Sequence, residues 1–175
     1  MTTRGLFTFK GHQEHEHDFN VYKHHDTYPS GALVVLQNTI DWFAWKLPRY
    51  ESDEFAAAFC AAGKAYYMIE AMGSEEARIE YNAHYSPHHG DRRASSGGGV
   101  RLMPDGDPLT VASKECCDID YRYEISFNDV TNSLDVKAFK IGNHFDDKGL
   151  TDRCIFDGTF TDFGAWASRD EADAA

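Results

Sequence analysis

The stretch FNVYKHHDTYP (residues 19–29), followed directly by SGALVVLQNTIDWF (residues 30–43), decides the fold of this chain. Val21 faces one side of a strand and Tyr22 the other, so one face of the strand packs on a core. Pro29 ends the strand because it lacks a backbone N–H group. The stretch therefore predicts a strand that leaves through a polar turn and continues into a buried helix.

Two helices are predicted after this turn. Residues 31–45 carry apolar side chains at steps of three and four, the spacing of one helix face, and Ser30 is the expected N-cap. Ser52 is the expected N-cap of the second helix, whose first turn holds Asp53 and Glu54, where the helix dipole favours acids. The residues expected to be buried in the second helix are Phe55, Phe59 and Ala62.

The remaining regular pattern is that of strands. Residues 5–10 alternate in polarity and are expected to pair antiparallel with residues 19–23. Residues 118–127 show the clearest alternation of apolar and charged side chains, and residues 133–141 complete a second hairpin across a polar turn. Residues 154–160 form the last predicted strand.

These elements predict an α+β fold. We expect one domain over residues 1–168, with an antiparallel sheet of about five or six strands packed against two or three helices. Residues 169–175 are acidic and are expected to fray. The 175 residues, 42% hydrophobic and 14% aromatic, suffice for one packed core and argue against disorder.

The chain is strongly acidic, with a formal net charge of -12. This charge disfavours direct binding to nucleic acid or to an anionic membrane, both of which require lysine and arginine. It fits a partner protein with a basic surface, or solubility alone. We expect a cytoplasmic protein for three reasons. The four cysteines contain no CxxC pair, the sequence has no leader-like apolar stretch, and no apolar run reaches membrane-spanning length.

Nine histidines are many for this length, and one group lies in the loop after the first strand. His12, His15 and His17, with acidic residues between them, are candidate ligands for Zn²⁺ or Ni²⁺. The spacing matches no closed zinc motif, and the alternative is a solvated polar loop. The first hairpin would hold this loop at one end and the turn that follows the second strand at the other.

The turn itself carries the second group of candidate residues. His24 or His25 would act as a general base oriented by Asp26, and Tyr28 would donate a hydrogen bond at the same place. The alternative is structural. In that case Asp26 or Ser30 caps the first helix, while one histidine packs and the other faces water.

Several segments resemble a set of uncharacterised small proteins from bacteria, phages and prophages. The segments are TRGLFTFK, FNVYKHHDTYPSGA, RYESDEFAAAFCAAGK, GGGVRL and DIDYRYEI. In those proteins the turn usually reads His-Trp-Asp-Gly-Tyr-Pro, whereas His25 stands here for tryptophan and Thr27 for glycine. A glycine at that position would supply a positive φ, which threonine adopts only at a cost. The resemblance implies a mobile-element context and no specific activity.

The leading functional hypothesis is a non-enzymatic, phage- or prophage-linked protein that binds a host protein with a basic surface. Such a protein would inhibit a host nucleic-acid-binding or defence factor, and it would need no cofactor. The alternative is a small hydrolase or nucleotide-processing enzyme that uses His24, His25 and Asp26, with a divalent metal ion as its cofactor. The pattern of residues does not determine the oligomeric state.

Overall fold

The computed structural model describes residues 3–43, 50–73, 100–102, 119–142 and 152–169. The elements in chain order are β1 (Gly5–Phe9), β2 (Phe19–Lys23), α1 (Pro29–Asn38), a π-helix (Thr39–Phe43), α2 (Ser52–Gly73), β3 (Val100–Leu102), β4 (Tyr121–Asn128), β5 (Ser133–Ile141), β6 (Asp152–Thr159) and α3 (Phe160–Ala167). The predicted α+β class is confirmed, as are both predicted hairpins, β1–β2 and β4–β5.

The six strands form one sheet in the order β3-β2-β1-β4-β5-β6. Four neighbouring pairs are antiparallel, but β1 and β4 run parallel, with Gly5 opposite Tyr121 and Phe9 opposite Ile125. The sheet is therefore mixed rather than wholly antiparallel. The reason is that each hairpin contributes its first strand to the centre of the sheet, and these two first strands point the same way.

The main core lies between the helices and one face of the sheet. Phe7 of β1 stacks on Tyr123 of β4, with ring centroids 4.8 Å apart, and meets Phe59 of α2 at 4.5 Å. Phe163 of α3 packs edge-on against Tyr123 at 6.1 Å. A smaller cluster occupies the opposite face of the sheet: Leu6, Tyr22, Ile119 and Ile141. Both faces of the central strands are therefore buried, which fixes their register.

α1 begins at Pro29, earlier than the predicted N-cap at Ser30. The N-cap position is held by Tyr28, whose carbonyl accepts a hydrogen bond from the Ala32 amide at 2.9 Å, and no side chain caps this end. The prediction that Ser30 caps the helix is therefore wrong. Proline fits the first helical position because its missing N–H would have had no helical partner there.

α2 begins at Ser52, the residue predicted to cap it. The Ser52 hydroxyl instead donates to the backbone carbonyl of His17 at 2.7 Å, so it ties the helix to the loop between β1 and β2. The predicted acidic first turn is confirmed, as is the predicted buried side: Phe55, Phe59 and Ala62. Within the described part of the chain, no helix combines the length and apolar character that crossing a bilayer requires.

The last described helix, α3, was not predicted. Residue 160 was assigned to a strand, whereas β6 ends at Thr159 and that threonine caps α3 by accepting a hydrogen bond from the Asp162 amide at 3.1 Å. A threonine followed three residues later by an acid is a helix-start signal. The predicted acidic tail falls almost wholly on residues 170–175, which lie outside the described residues.

Candidate functional site

The two groups of candidate residues lie at opposite ends of the β1–β2 hairpin, as predicted. The pairing sets Phe9 opposite Phe19 at the end that carries the histidine loop, residues 10–18. It sets Gly5 opposite Lys23 at the end that carries the turn, residues 24–28. Four residue steps along a strand separate the two ends by roughly 14 Å, so the two groups are independent sites.

A cavity of about 700 Å³, which we call the loop cavity, opens beside the histidine loop. Three separate segments build it: the loop itself, the start of α2 and the end of the β4–β5 hairpin. Its lining residues are His12, Gln13, His15, Glu16, His17, Phe19, Tyr50, Glu51, Ser52, Asp53, Phe127 and Asp129. The Ser52 hydrogen bond described above joins two of these segments.

The apolar part of the loop cavity is aromatic. Tyr50 stacks on Phe127 with ring centroids 6.1 Å apart and planes 11° apart. Tyr50 is only 5% exposed, and its hydroxyl donates to the Ile125 carbonyl at 3.4 Å. Burial raises the pKa of the Tyr50 phenol well above its ordinary value, and the carboxylates of Glu16 and Asp18 raise it further. The Tyr50 side chain is thus neutral and lies near negatively charged carboxylates.

The polar part of the loop cavity is acidic. Among the described residues, its lining contains four carboxylates, from Glu16, Glu51, Asp53 and Asp129, and neither lysine nor arginine. Glu16 is held in place because its carboxylate accepts a hydrogen bond from the backbone amide of His12 at 2.8 Å. The arrangement favours a cation that also presents a flat or apolar surface.

The three candidate metal ligands, His12, His15 and His17, all line the loop cavity. The His12 ring lies edge-on to Phe127 at 5.2 Å, and its Nε2 atom is 3.1 Å from an Asp129 carboxylate oxygen. Among the described residues, no group of three or more histidine, cysteine, aspartate or glutamate side chains has an arrangement suited to a metal ion. A metal ion at this loop stays a prediction.

The turn at the other end is held by buried backbone contacts. The hydroxyl of Tyr123 in β4 donates to the Thr27 carbonyl at 2.6 Å, and the Thr27 amide donates to the Thr3 hydroxyl at 3.1 Å. Asp26 has a φ of 51°, so the left-handed residue is Asp26 and not position 27, where the sequence resemblance led us to expect a preference for glycine. Aspartate tolerates this conformation better than threonine does.

A second, smaller cavity of about 180 Å³ lies beside this turn, and we call it the turn cavity. Its lining residues are Lys23, Asp26, Tyr28, Ser30, Gly31, Val34, Val35 and Gly63. Gly31 is required for the close contact here, because a Cβ atom at that position would lie 2.4 Å from the Asp26 carbonyl oxygen. The turn cavity therefore depends on the tight packing of the turn against α1.

The predicted catalytic residues are divided between two environments. His24 Nδ1 is 2.7 Å from the hydroxyl of Tyr22, a residue of the smaller cluster on the opposite sheet face. Asp26 and Tyr28 line the turn cavity on the helix side. The His25 ring meets the His24 ring edge-on at 4.5 Å. The assignment of these four residues to one catalytic site stays a prediction.

His25 lies in a partly buried, mixed electrostatic environment. Burial lowers the pKa of His25 below its ordinary value, and the charges of Lys23 and Arg4 lower it further, whereas the Asp26 carboxylate opposes the shift. The neutral imidazole is therefore favoured. A neutral imidazole accepts a proton, the property that a general base requires.

Lys23 was not among the predicted site residues. It is only 4% exposed, and its ammonium nitrogen donates to the backbone carbonyls of His25 and Asp26. Burial lowers the pKa of Lys23 to about 8, with Asp26 opposing part of the shift. The signal was present in the sequence, because Lys23 alternates with Val21 on the core-facing side of β2.

Comparison with protein-family models, with characterised proteins and with solved structures gives no significant match for this chain. Function is therefore inferred from the geometry of the two cavities.

Proposed function

We propose that this chain binds a basic surface of another protein, and that the loop cavity receives a lysine or arginine side chain of that partner. The observation that supports this function is the combination, in the described lining of the cavity, of the Tyr50 and Phe127 rings with four carboxylates. A guanidinium group stacks on aromatic rings and donates bidentate hydrogen bonds to carboxylates, so arginine fits this cavity best.

The charges of the loop cavity differ from those on the sheet. Across β4, β5 and β6, Arg122 pairs with Glu124 and Asp152, and Lys137 pairs with Asp157 at 3.0 Å. On the sheet, two cations therefore offset two of three carboxylates. The described lining of the loop cavity, by contrast, holds four carboxylates and three histidines, which makes it an acidic surface.

The net charge of -12 supports the same proposal at longer range. A strongly negative protein attracts a basic partner during diffusion and accelerates association at low salt. Proteins that bind nucleic acid carry such basic surfaces, because they must neutralise phosphates. In the phage or prophage context that the sequence resemblance implies, the partner is a host nucleic-acid-binding or defence factor, which this chain inhibits by covering its basic surface.

The test uses an arginine-rich peptide of about ten residues as the probe and isothermal titration calorimetry as the assay. Asp129→Lys is the informative variant, since the Asp129 side chain is 70% exposed at the cavity, and the Asn128 side chain accepts the amide hydrogen bonds of Val130 and Thr131 in the turn. Asp41→Lys is the matched control, because it makes the same change in net charge at an exposed residue outside the cavity.

We expect Asp129→Lys to weaken peptide binding roughly 3- to 10-fold at low salt, from the loss of one exposed charge contact and the gain of a repulsive one. Asp41→Lys should weaken it much less, and added salt should weaken binding to the native protein. Equal effects of the two variants would show that only net charge matters, and binding insensitive to salt would contradict the proposal outright.

The enzymatic alternative has one observation in its favour, the contact of 2.7 Å between the Tyr22 hydroxyl and His24 Nδ1. A phenol and an imidazole in hydrogen-bond contact can pass a proton between them. The test is elemental analysis of untagged protein together with the double variant His24→Ala, Asp26→Ala. A metal-free protein whose biological effect survives the double substitution would exclude this alternative.

A further inference from the structure

The turn cavity contains a feature that the proposed binding function does not use: the buried amine of Lys23. The cavity is separate from the loop cavity, and its volume is about 180 Å³. This is the volume that about six water molecules occupy in the liquid. Val34 and Val35 of α1 line it on one side, and Gly63 of α2, which packs closely against Val100, lines it on another. Such a cavity fits a short, uncharged aliphatic molecule.

We propose that Lys23 is a carbonyl-reactive amine, whose side-chain nitrogen condenses with a small aliphatic aldehyde or ketone bound in the turn cavity. The nitrogen attacks the carbonyl carbon and a C–N bond forms, giving first a carbinolamine. The nitrogen then loses a proton, and the oxygen leaves as water. The product is an imine, and nothing is oxidised or reduced in the step.

The position of the Lys23 nitrogen suits this chemistry. Its contacts include hydrogen bonds to two backbone carbonyls, those of His25 and Asp26, and an N–H group of a neutral amine can donate such a bond as an ammonium group does. The turn therefore orients the nitrogen in either protonation state. A lysine desolvated in an apolar site is the usual form of an amine nucleophile in proteins.

The protonation state of Lys23 also favours the reaction, because an amine reacts with carbonyls only in its neutral form. With a pKa of about 8, roughly half of Lys23 is neutral at pH 8, against about 0.4% of an ordinary lysine with a pKa near 10.4. Among the described residues, the other titratable side chains that line the cavity are Asp26, whose charge opposes the shift, and Tyr28. The lining residues from α1 and α2 are Ser30, Gly31, Val34, Val35 and Gly63, which carry no titratable group.

Asp26 and Tyr28 are also placed to assist the proton transfers. Loss of water from the carbinolamine requires a proton on its oxygen, and both side chains line the same small cavity as the amine. The inference does not depend on the proposed binding of a basic partner, since it concerns the other end of the first hairpin.

The experiment treats the native protein with acetaldehyde and sodium cyanoborohydride, which reduces an imine to a stable secondary amine. Peptide mass mapping then gives the rate of modification of each lysine between about pH 7 and pH 8.5. Lys137 is the internal control, because it is exposed and its pKa is raised by its hydrogen bond to Asp157. We expect Lys23 to react at least about 10-fold faster than Lys137, the roughly 100-fold advantage in neutral amine being reduced by restricted access.

Val34→Phe tests whether the reaction takes place inside the turn cavity. Val34 lines the cavity and is 44% exposed, so a larger side chain there narrows the entrance without replacing Lys23. We expect this variant to lose the fast reaction of Lys23 and to leave the rate at Lys137 unchanged. The proposal is overturned if Lys23 reacts no faster than Lys137 in the native protein, or if Val34→Phe leaves the rate at Lys23 unaltered.

Discussion

Replacing Lys23 by methionine should change how the stability of the protein depends on pH. Lys23 has a pKa of about 8 in the folded chain and near 10.5 in the unfolded chain. Between these two values the unfolded chain binds more protons than the folded chain, so the free energy of unfolding increases with pH. The contribution of Lys23 is therefore unfavourable at neutral pH, and this unfavourable contribution disappears as the pH rises toward 10.5.

The size of the effect follows from the two pKa values. The difference between the two pKa values corresponds to about 3 kcal/mol in all, of which about 2 kcal/mol is recovered between pH 7 and pH 9.5. Tyr50 acts in the opposite direction at higher pH, because its raised pKa makes the unfolded chain the first to lose the phenolic proton. The measurement should therefore stop near pH 9.5.

The assay is urea denaturation followed by circular dichroism at several pH values. The quantity compared is the difference in unfolding free energy between the native protein and Lys23→Met, in which the titration of all other groups cancels. This difference should shift by about 2 kcal/mol in favour of the native protein from pH 7 to pH 9.5. Lys137→Met is the control for an exposed lysine, and it should show no such shift. If the difference in unfolding free energy between the native protein and Lys23→Met does not change with pH, burial of the Lys23 ammonium group does not destabilise the fold, and the reasoning is refuted.

Three further substitutions test the packing of the turn, and a fourth, in α3, is their control. Each variant is compared with the native protein by its urea midpoint. Gly31→Ala should cost more than about 2 kcal/mol, because its Cβ atom would lie 2.4 Å from the Asp26 carbonyl oxygen. Gly164→Ala in α3 should be neutral or stabilising by up to about 1 kcal/mol, because its Cβ atom would lie 3.7 Å from its nearest neighbour. Equal losses of stability at Gly31 and Gly164 would contradict the packing described. Thr27→Val should stabilise by about 1 kcal/mol, since the buried Thr27 hydroxyl has no hydrogen-bond partner among the described residues; a loss of stability would reveal a partner for it. Tyr123→Phe should cost about 1 to 3 kcal/mol, because it removes the buried donor to the Thr27 carbonyl, and an unchanged midpoint would show that this contact does not hold the turn.

Local patterns predicted the local elements of the fold well. The alternation around Val21 and Tyr22 gave the correct faces of β2, and the charged alternation of residues 118–127 gave the correct inward face of β4. Both hairpins followed from turn residues between alternating segments. Such patterns depend on neighbours in the chain, so the sequence carries them directly.

Contacts between distant segments were beyond these patterns. The parallel pairing of β1 with β4 joins Gly5 to Tyr121, and neither strand contains a residue that specifies the other as its neighbour. The start of α3 was missed for a different reason: the strand pattern was extended through Thr159, although the threonine and Asp162 together signal a helix start.

The candidate sites were predicted in the same uneven way. The histidine loop and the turn were correctly assigned to opposite ends of one hairpin. The loop cavity was not predicted, because Tyr50, Phe127 and Asp129 come from segments far from the loop in sequence. Lys23 lies two residues after Val21 and therefore on the same face of β2, but the burial of its charge was not recognised as a site signal.

The parallel pairing of β1 with β4 affects how the chain folds during its synthesis on the ribosome. β1 leaves the ribosome 116 residues ahead of its partner, which at translation rates of about 5 to 20 residues per second is a delay of roughly 6 to 23 s. During this time the edge of the β1–β2 hairpin that later pairs with β4 stays unpaired. Slower synthesis lengthens the interval in which this edge is open to non-native pairing.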